Sequence, residues 1–232
     1  MATDLKRADQ EKEAAARASL RFIKSGQVVG LGTGSTAASF IRLLAEQVKN
    51  GLLIRGIPTS VRSRELAQSL GIPLTTLDEC QEIDVTVDGA DEVDPELRLI
   101  KGGGGALLRE KVVASATKYL VIVADATKQV PRLGKFPLPV EVIRFAQALV
   151  AKEIAALGAQ VRLRLQANGT PYVTDEGNHI LDCRFGEIAD ADNLARQLGD
   201  MPGIVEHGLF IGMASTVLLA KGDAIVELHP KH

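Results

Sequence analysis

The first 125 residues alternate between two patterns. Short runs rich in β-branched and aliphatic residues are QVVGLG (27–32), LLIRGIP (52–58), IPLTTL (72–77), DVTVDG (84–89) and YLVIVAD (119–125). Between most of them lie stretches with helical patterning. Strands joined by crossover helices run parallel, so this order predicts a parallel α/β sheet. Such a sheet is covered on both faces and needs an aliphatic core. The composition agrees: 46% of residues are apolar, only 3% are aromatic, and there is no Trp. Helices are expected from Asp4, as a cap, to about Ser25, where Gly26 stops the first. Others are expected over TGSTAASFIRLLAEQVKN, SVRSRELAQSLG (60–71) and ALLREKVVASATK (106–118).

The rhythm changes near LGKFPLPV (133–140), where three prolines fall within residues 131–139. VEVIRF, ALVAKEIAALG, QVRLRL, YVTD, HILDCRF and ADNLARQLG then read strand, helix, three strands, helix. That is an α+β pattern with antiparallel strands. ASTVLLA and DAIVEL after residue 210 are expected to rejoin the first sheet, making the second domain an insertion. The expected domains are 1–130 plus 208–232, and 131–207.

Several function classes fall away. The formal net charge is −2, from 27 basic and 29 acidic residues, so no electrostatic footprint for nucleic acid exists. Aromatic platforms for single strands are also scarce. Cys80 and Cys183 form neither a disulfide scaffold nor a zinc pattern. The four histidines, His229 and His232 among them, show no ligand spacing. The charged N-terminus has no apolar signal-peptide region, and no apolar run could span a bilayer. The expectation is a soluble cytoplasmic protein.

Three loops carry candidate chemistry. GLGTGSTA (30–37) links a strand to a helix, where N–H groups favour an anion. It has no Walker lysine, and the next strand has no acid for a dinucleotide ribose. A small phosphate or carboxylate remains, against the alternative of an ordinary capped turn. VDGADEVDPE (87–96) holds five acids. As a calcium loop it fails, with Ala90, Val93 and Leu99 at ligand or glycine positions. Glu92, Asp94 and Glu96 suit a solvated turn, whereas Asp88 and Asp91 stand at a strand end, where ligands bind.

The third loop is IKGGGGALLREK (100–111). Lys101 precedes four glycines and a helix. There Glu110 shares a face with Ala106, Leu107, Val113 and Ala114. A carboxylate on an apolar stripe is raised towards the range of a general base; the alternative is a pair with a nearby cation. Asp88 and Asp91 repel phosphate, so a phosphorylated ligand places its phosphate at TGST and its hydroxyls by the acids. That predicts a sugar phosphate with its carbonyl end near Asp88, Lys101 and Glu110.

GLGTGSTA, DGADEVDPELRLIKGGGGALLREK and ADATKQVPRLGKFPLPVEV together resemble the A-type ribose-5-phosphate isomerases, and the resemblance spans essentially the whole chain. It implies a Rossmann-like domain with a smaller ferredoxin-like α+β domain, in a homodimer or homotetramer. It implies interconversion of ribose 5-phosphate and ribulose 5-phosphate through a cis-enediolate, with no cofactor and no metal. The setting would be the non-oxidative pentose phosphate pathway or the Calvin cycle, with no nucleic-acid or membrane partner. Substrate-binding residues carried over are Thr33, Gly34, Ser35, Thr36, Asp88, Gly89, Ala90, Asp91, Lys101, Gly102, Gly103, Gly104 and Lys128. Glu110 matches the base, Lys101 the electrophile, and Asp88 or Asp91 assists ring opening. Some relatives carry Ala at the position of Gly105. The competing readings are a non-catalytic sugar-phosphate sensor, and a related sugar-phosphate isomerase or lactonase.

Overall fold

In the computed structural model, which describes residues 2–222 and 224–230, the strand–helix alternation builds a six-stranded sheet. Its strands are β1 (Val28–Leu31), β2 (Arg55–Pro58), β3 (Ile83–Asp88), β6 (Thr117–Asp125), β12 (Thr216–Lys221) and β13 (Ala224–Leu228), in spatial order β13-β12-β6-β3-β1-β2. All neighbours are parallel except β12 and β13. Helices α1 (Ala2–Ser19), α2 (Ser35–Lys49) and α3 (Val61–Ser69) pack through Ala15, Phe40, Ile41, Leu44 and Ala67 on Val29, Leu31, Val85, Val87, Val121 and Val123. Val28, Ile57 and Ile83 face the other way, against Val113 of α4 (Leu107–Ser115). Helices on both faces bury both sets of alternating side chains, hence the near-continuous aliphatic strands.

A second set of elements is interposed. β4 (Glu92–Val93), β5 (Leu99–Ile100) and β11 (Leu209–Phe210) form a three-stranded ribbon. β7 (Leu138–Val142), α5 (Gln147–Ala156), β8 (Gln160–Leu163), β9 (His179–Arg184), α6 (Ala191–Gly199) and β10 (Ile204–His207) follow in a β-α-β-β-α-β order. Their antiparallel sheet has the order β10-β7-β9-β8, the ferredoxin-like arrangement. Val150 and Ile154 of α5, with Leu194 and Leu198 of α6, pack on Leu138, Val140, Val142, Leu181 and Cys183.

The chain thus comprises two compact units: Met1–Ala90, Arg109–Gln129 and Met213–His232, and Asp91–Leu108 with Val130–Gly212. The expected boundaries differ at two places. Residues 208–212 fall in the second unit, where β11 pairs with β5. Residues 91–108 group with the second unit rather than the first, because β5 pairs with β11 and the Val130 N–H donates to the Val93 carbonyl. β12 and β13 do join the first sheet, as the sequence suggests.

Three local expectations are corrected. Helix α1 starts at Ala2, so Asp4 lies inside its first turn rather than capping it. IPLTTL supplies only a single bridge, Leu74 to Gly56, because its threonines are drawn into a turn: Thr75 donates to Glu79 and the Glu79 N–H to the Thr76 carbonyl. YVTD is not a strand either. The one bridge nearby uses Pro171, which has no N–H to extend a ladder, and residues 174–178 close a tight turn. His229 is exposed, 3.5 Å from Glu227, and His232 lies outside the described residues. No described helix is long and apolar enough to cross a membrane.

Candidate active site

In the first unit, β1 has β2 on one side and β3 on the other, so successive crossovers leave in opposite directions. The carboxyl ends of strands at such a reversal form the usual ligand crevice of an α/β sheet. The TGST turn follows β1 and Asp88 ends β3, so both expected loops flank this point. Gly32 is dictated by Asp88, since a Cβ there would lie 2.3 Å from its Oδ1. That oxygen accepts hydrogen bonds from the N–H groups of Thr33 at 3.0 Å and Gly89 at 2.7 Å. Asp88 is buried, and it fixes the turn after β1 as well as ending its own strand.

Gly34 takes φ +105° to start α2. Ser35 is exposed and Thr36 half-buried, at the N-terminus of that helix. The Thr33 hydroxyl turns the other way, 2.8 Å from the hydroxyls of Thr59 and Ser60 and 3.1 Å from that of Ser63. Ser63 in turn donates to the Gly32 carbonyl at 2.7 Å. Thr33 therefore serves the turn through its backbone, and Ser35 and Thr36 supply its outward hydroxyls. The hydroxyl trio of Thr59, Ser60 and Ser63 escapes sequence reasoning. Its only signal is the N-cap pattern that Ser60 also fulfils. Lys128 is half-buried in the 3-10 turn after β6, whose Asp125 side chain accepts from the Thr127 N–H. β6 is parallel to β3, so Lys128 lies along the same sheet edge as Asp88.

Glu110 occupies the first turn of α4, where helix N–H groups favour negative charge. It is only 4% exposed, on a face with Leu107, Val113 and Ala114, as its spacing predicts. Arg109 and Lys111 are half-buried.

The remaining expected residues belong to the second unit. Asp91 accepts from the Gly103 N–H at 2.7 Å, and its own N–H donates to the Ile100 carbonyl at 2.8 Å. Gly103 is obligatory there, since a Cβ would lie 2.5 Å from Asp91 Oδ1. Lys101 is buried, with its N–H on the Gly208 carbonyl and its ammonium 5.4 Å from the centre of the Phe210 ring. That distance fits a cation–π contact. Gly102 and Gly105 have φ of +96° and +84°, and the Gly105 N–H donates to the Gly102 carbonyl, closing a tight turn. Gly103 and Gly104 are exposed. At Gly105 a Cβ would lie 2.2 Å from the Tyr172 hydroxyl, so the alanine of some relatives does not fit this turn as it stands.

The acidic turn is not uniformly solvated as expected. Glu92 and Asp94 are buried, and only Glu96 is exposed. Glu92 accepts from the N–H groups of Gly134 and Phe136 at 2.7 and 2.5 Å. Asp94 accepts from the N–H of Arg98 and pairs with its guanidinium at 2.7 Å. Each is consumed in holding its own unit together. Among the described residues, no three His, Cys, Asp or Glu side chains are grouped to hold a metal ion.

The family model of ribose 5-phosphate isomerase A (phosphoriboisomerase A) matches residues 55–224. The chain belongs to this family. It is 52% identical to ribose-5-phosphate isomerase A of Parvibaculum lavamentivorans, over 95% of this chain and 99% of that one. A solved ribose 5-phosphate isomerase A from Methanocaldococcus jannaschii superposes with a TM-score of 0.91, at 41% identity and 95% and 98% coverage. A D-ribose-5-phosphate isomerase solved in complex with phospho-erythronic acid gives 0.93, at 40% identity and 96% and 99% coverage. As a member of the family, the chain is an isomerase.

Proposed function

We propose that the protein interconverts D-ribose 5-phosphate and D-ribulose 5-phosphate, with Glu110 as the base. The observation that carries this reading is the buried Glu110 carboxylate in the first turn of α4, in a chain of this family. The aldose phosphate is held by Ser35, Thr36, the N–H groups at the start of α2, and Lys128. Asp88 or Asp91 moves the proton that opens the furanose ring.

Glu110 takes the proton from C2, and the C2–H electrons form the C1=C2 bond of a cis-enediolate. Charge collects on O1, where Lys101 and the glycine-run N–H groups stabilise it. Glu110 then delivers its proton to C1, while the O2 proton passes to O1, leaving O2 as the ketone oxygen and O1 as the C1 hydroxyl. The hydrogen count is unchanged, so no redox partner is consumed. Phospho-erythronic acid, bound in the solved relative, is a phosphorylated polyhydroxy acid. Its planar carboxylate has the shape and charge of an enediolate, which supports this route.

On this reading the protein works in the cytoplasm, in non-oxidative pentose phosphate metabolism or the Calvin cycle. It acts as a homodimer or homotetramer. Ile143, Phe145 and Leu149 support self-association: all are exposed, Phe145 at 98%. The direct test is to incubate purified protein with ribose 5-phosphate in D2O and follow ketose formation by NMR. Conversion with deuterium entering at C1 is expected. Binding without turnover would instead make the protein a sensor.

A further inference from the structure

The glycine run is gripped by a side chain 62 residues beyond Gly102. Arg164 follows β8. Its Nε and Nη2 donate to the Asp182 carboxylate on β9, at 3.0 and 2.5 Å. Its Nη1 donates to the carbonyls of Gly102 at 2.9 Å and Gly103 at 3.2 Å. The backbone of Arg164 is equally fixed, with its N–H on the Ile180 carbonyl and its carbonyl on the Tyr172 N–H. All these residues lie in the second unit.

A trans peptide points its C=O and N–H in opposite directions. With the Gly102 oxygen turned to Arg164, the Gly103 N–H must point away from it. That N–H donates to Asp91 Oδ2. One peptide therefore carries a guanidinium on its oxygen and a carboxylate on its nitrogen. A cation on the carbonyl polarises the amide and strengthens the opposite hydrogen bond.

We propose that Arg164 is a positioning residue of the isomerase, setting the orientation of the Asp91 carboxylate through the Gly102–Gly103 peptide. The inference rests on the isomerase reading above. The ion pair with Asp182 alone would be an ordinary contact between neighbouring strands. The two carbonyl contacts give Arg164 a second task. Only a forked guanidinium can meet both, which a lysine ammonium cannot do.

Steady-state kinetics of four variants test this. Arg164→Met is expected to lower kcat about 10- to 100-fold, the cost of a misplaced group about 1 Å from its working position. Arg164→Lys should recover part of the loss. Asp182→Asn loosens the ion pair but leaves the carbonyl contacts, so its loss should be much smaller. In an Asp91→Asn background, Arg164→Met should cost little further, because its effect passes through Asp91. Equal losses in Arg164→Met and Asp182→Asn overturn the proposal, as does an undiminished loss in the Asp91→Asn background.

The 15N–1H resonance of Gly103 gives a readout independent of activity. It should move in Arg164→Met and hold in Asp182→Asn; an unmoved resonance in Arg164→Met also overturns the proposal. If Asp182 left alone prevents Arg164→Met from folding, Arg164→Met/Asp182→Asn replaces it with the same expectations. If the wild-type protein does not interconvert the two pentose phosphates, the functional reading fails, and the Gly103 resonance still judges the link through the peptide.

Discussion

At the end of β1, Gly30 and Gly32 face the neighbouring strand; after β5 the glycines face their own loop and a distant side chain. A Cβ at Gly30 or Gly32 would strike Thr86 or Asp88, both on β3. Those glycines follow from a parallel sheet whose strand ends in a carboxylate. In the run after β5, Gly103 makes room for Asp91, Gly105 for Tyr172, and Arg164 holds two of the carbonyls. The first turn is shaped by secondary structure and the second by tertiary contacts. One suits a fixed anion seat, whereas the other can be tuned from outside the turn.

The largest expected effect separates the two turns by role. Glu110→Gln should lower kcat about 10²- to 10⁴-fold, the range of a lost general base, while KM stays close to normal. Ser35→Ala, at the other turn, should raise KM with far less change in kcat. A Glu110→Gln enzyme of near-normal kcat would remove the chemical role from the helix after the glycine run. Next, Lys101→Ala should lower kcat about 10²- to 10³-fold, as loss of an oxyanion donor does, and weaken binding as well. A change in KM alone would show that Lys101 only holds the ground state.

Smaller effects bear on what dictates the glycines. Gly32→Ala forces a Cβ against the Asp88 carboxylate and backbone, and about 1–3 kcal/mol of stability should be lost. Gly34→Ala meets open space, so its cost is the backbone alone: φ 105° with ψ 177° is a conformation open essentially to glycine, and about 1–3 kcal/mol should be lost. Urea denaturation measures both losses; unchanged stability in Gly32→Ala would mean that the neighbouring strand does not dictate Gly32. The smallest expected effect is that of exhaustive EDTA treatment, after which activity should be unchanged. A loss restored by magnesium would give the acidic turn a metal role.

These contrasts also explain what the sequence could and could not reveal. The alternating strands and helices were readable because each rests on local periodicity. The TGST turn, Asp88 and the burial of Glu110 were readable because strand ends and helix faces follow from the same periodicity. The partners of Glu92 lie at Gly134 and Phe136, and those of the glycine run at Arg164 and Tyr172. No spacing rule connects residues so far apart. The grouping of residues 91–108 with the second unit was hidden for the same reason: the pairing of β5 with β11 joins residues 99–100 to 209–210. IPLTTL and YVTD misled because threonine, although β-branched, also serves in turns through its hydroxyl.

The place of β12 in the sheet carries a consequence for synthesis. It lies directly beside β6, yet follows it only after the whole of residues 130–212. While the ribosome makes that stretch, the YLVIVAD strand has no neighbour on one side. An apolar, β-branched open edge invites pairing with other chains. The nascent protein thus passes through an interval in which its inserted unit can fold and its first unit cannot close. Chaperone dependence and aggregation on overexpression should be greatest during that interval, and should fall sharply once residues 216–221 have left the exit tunnel.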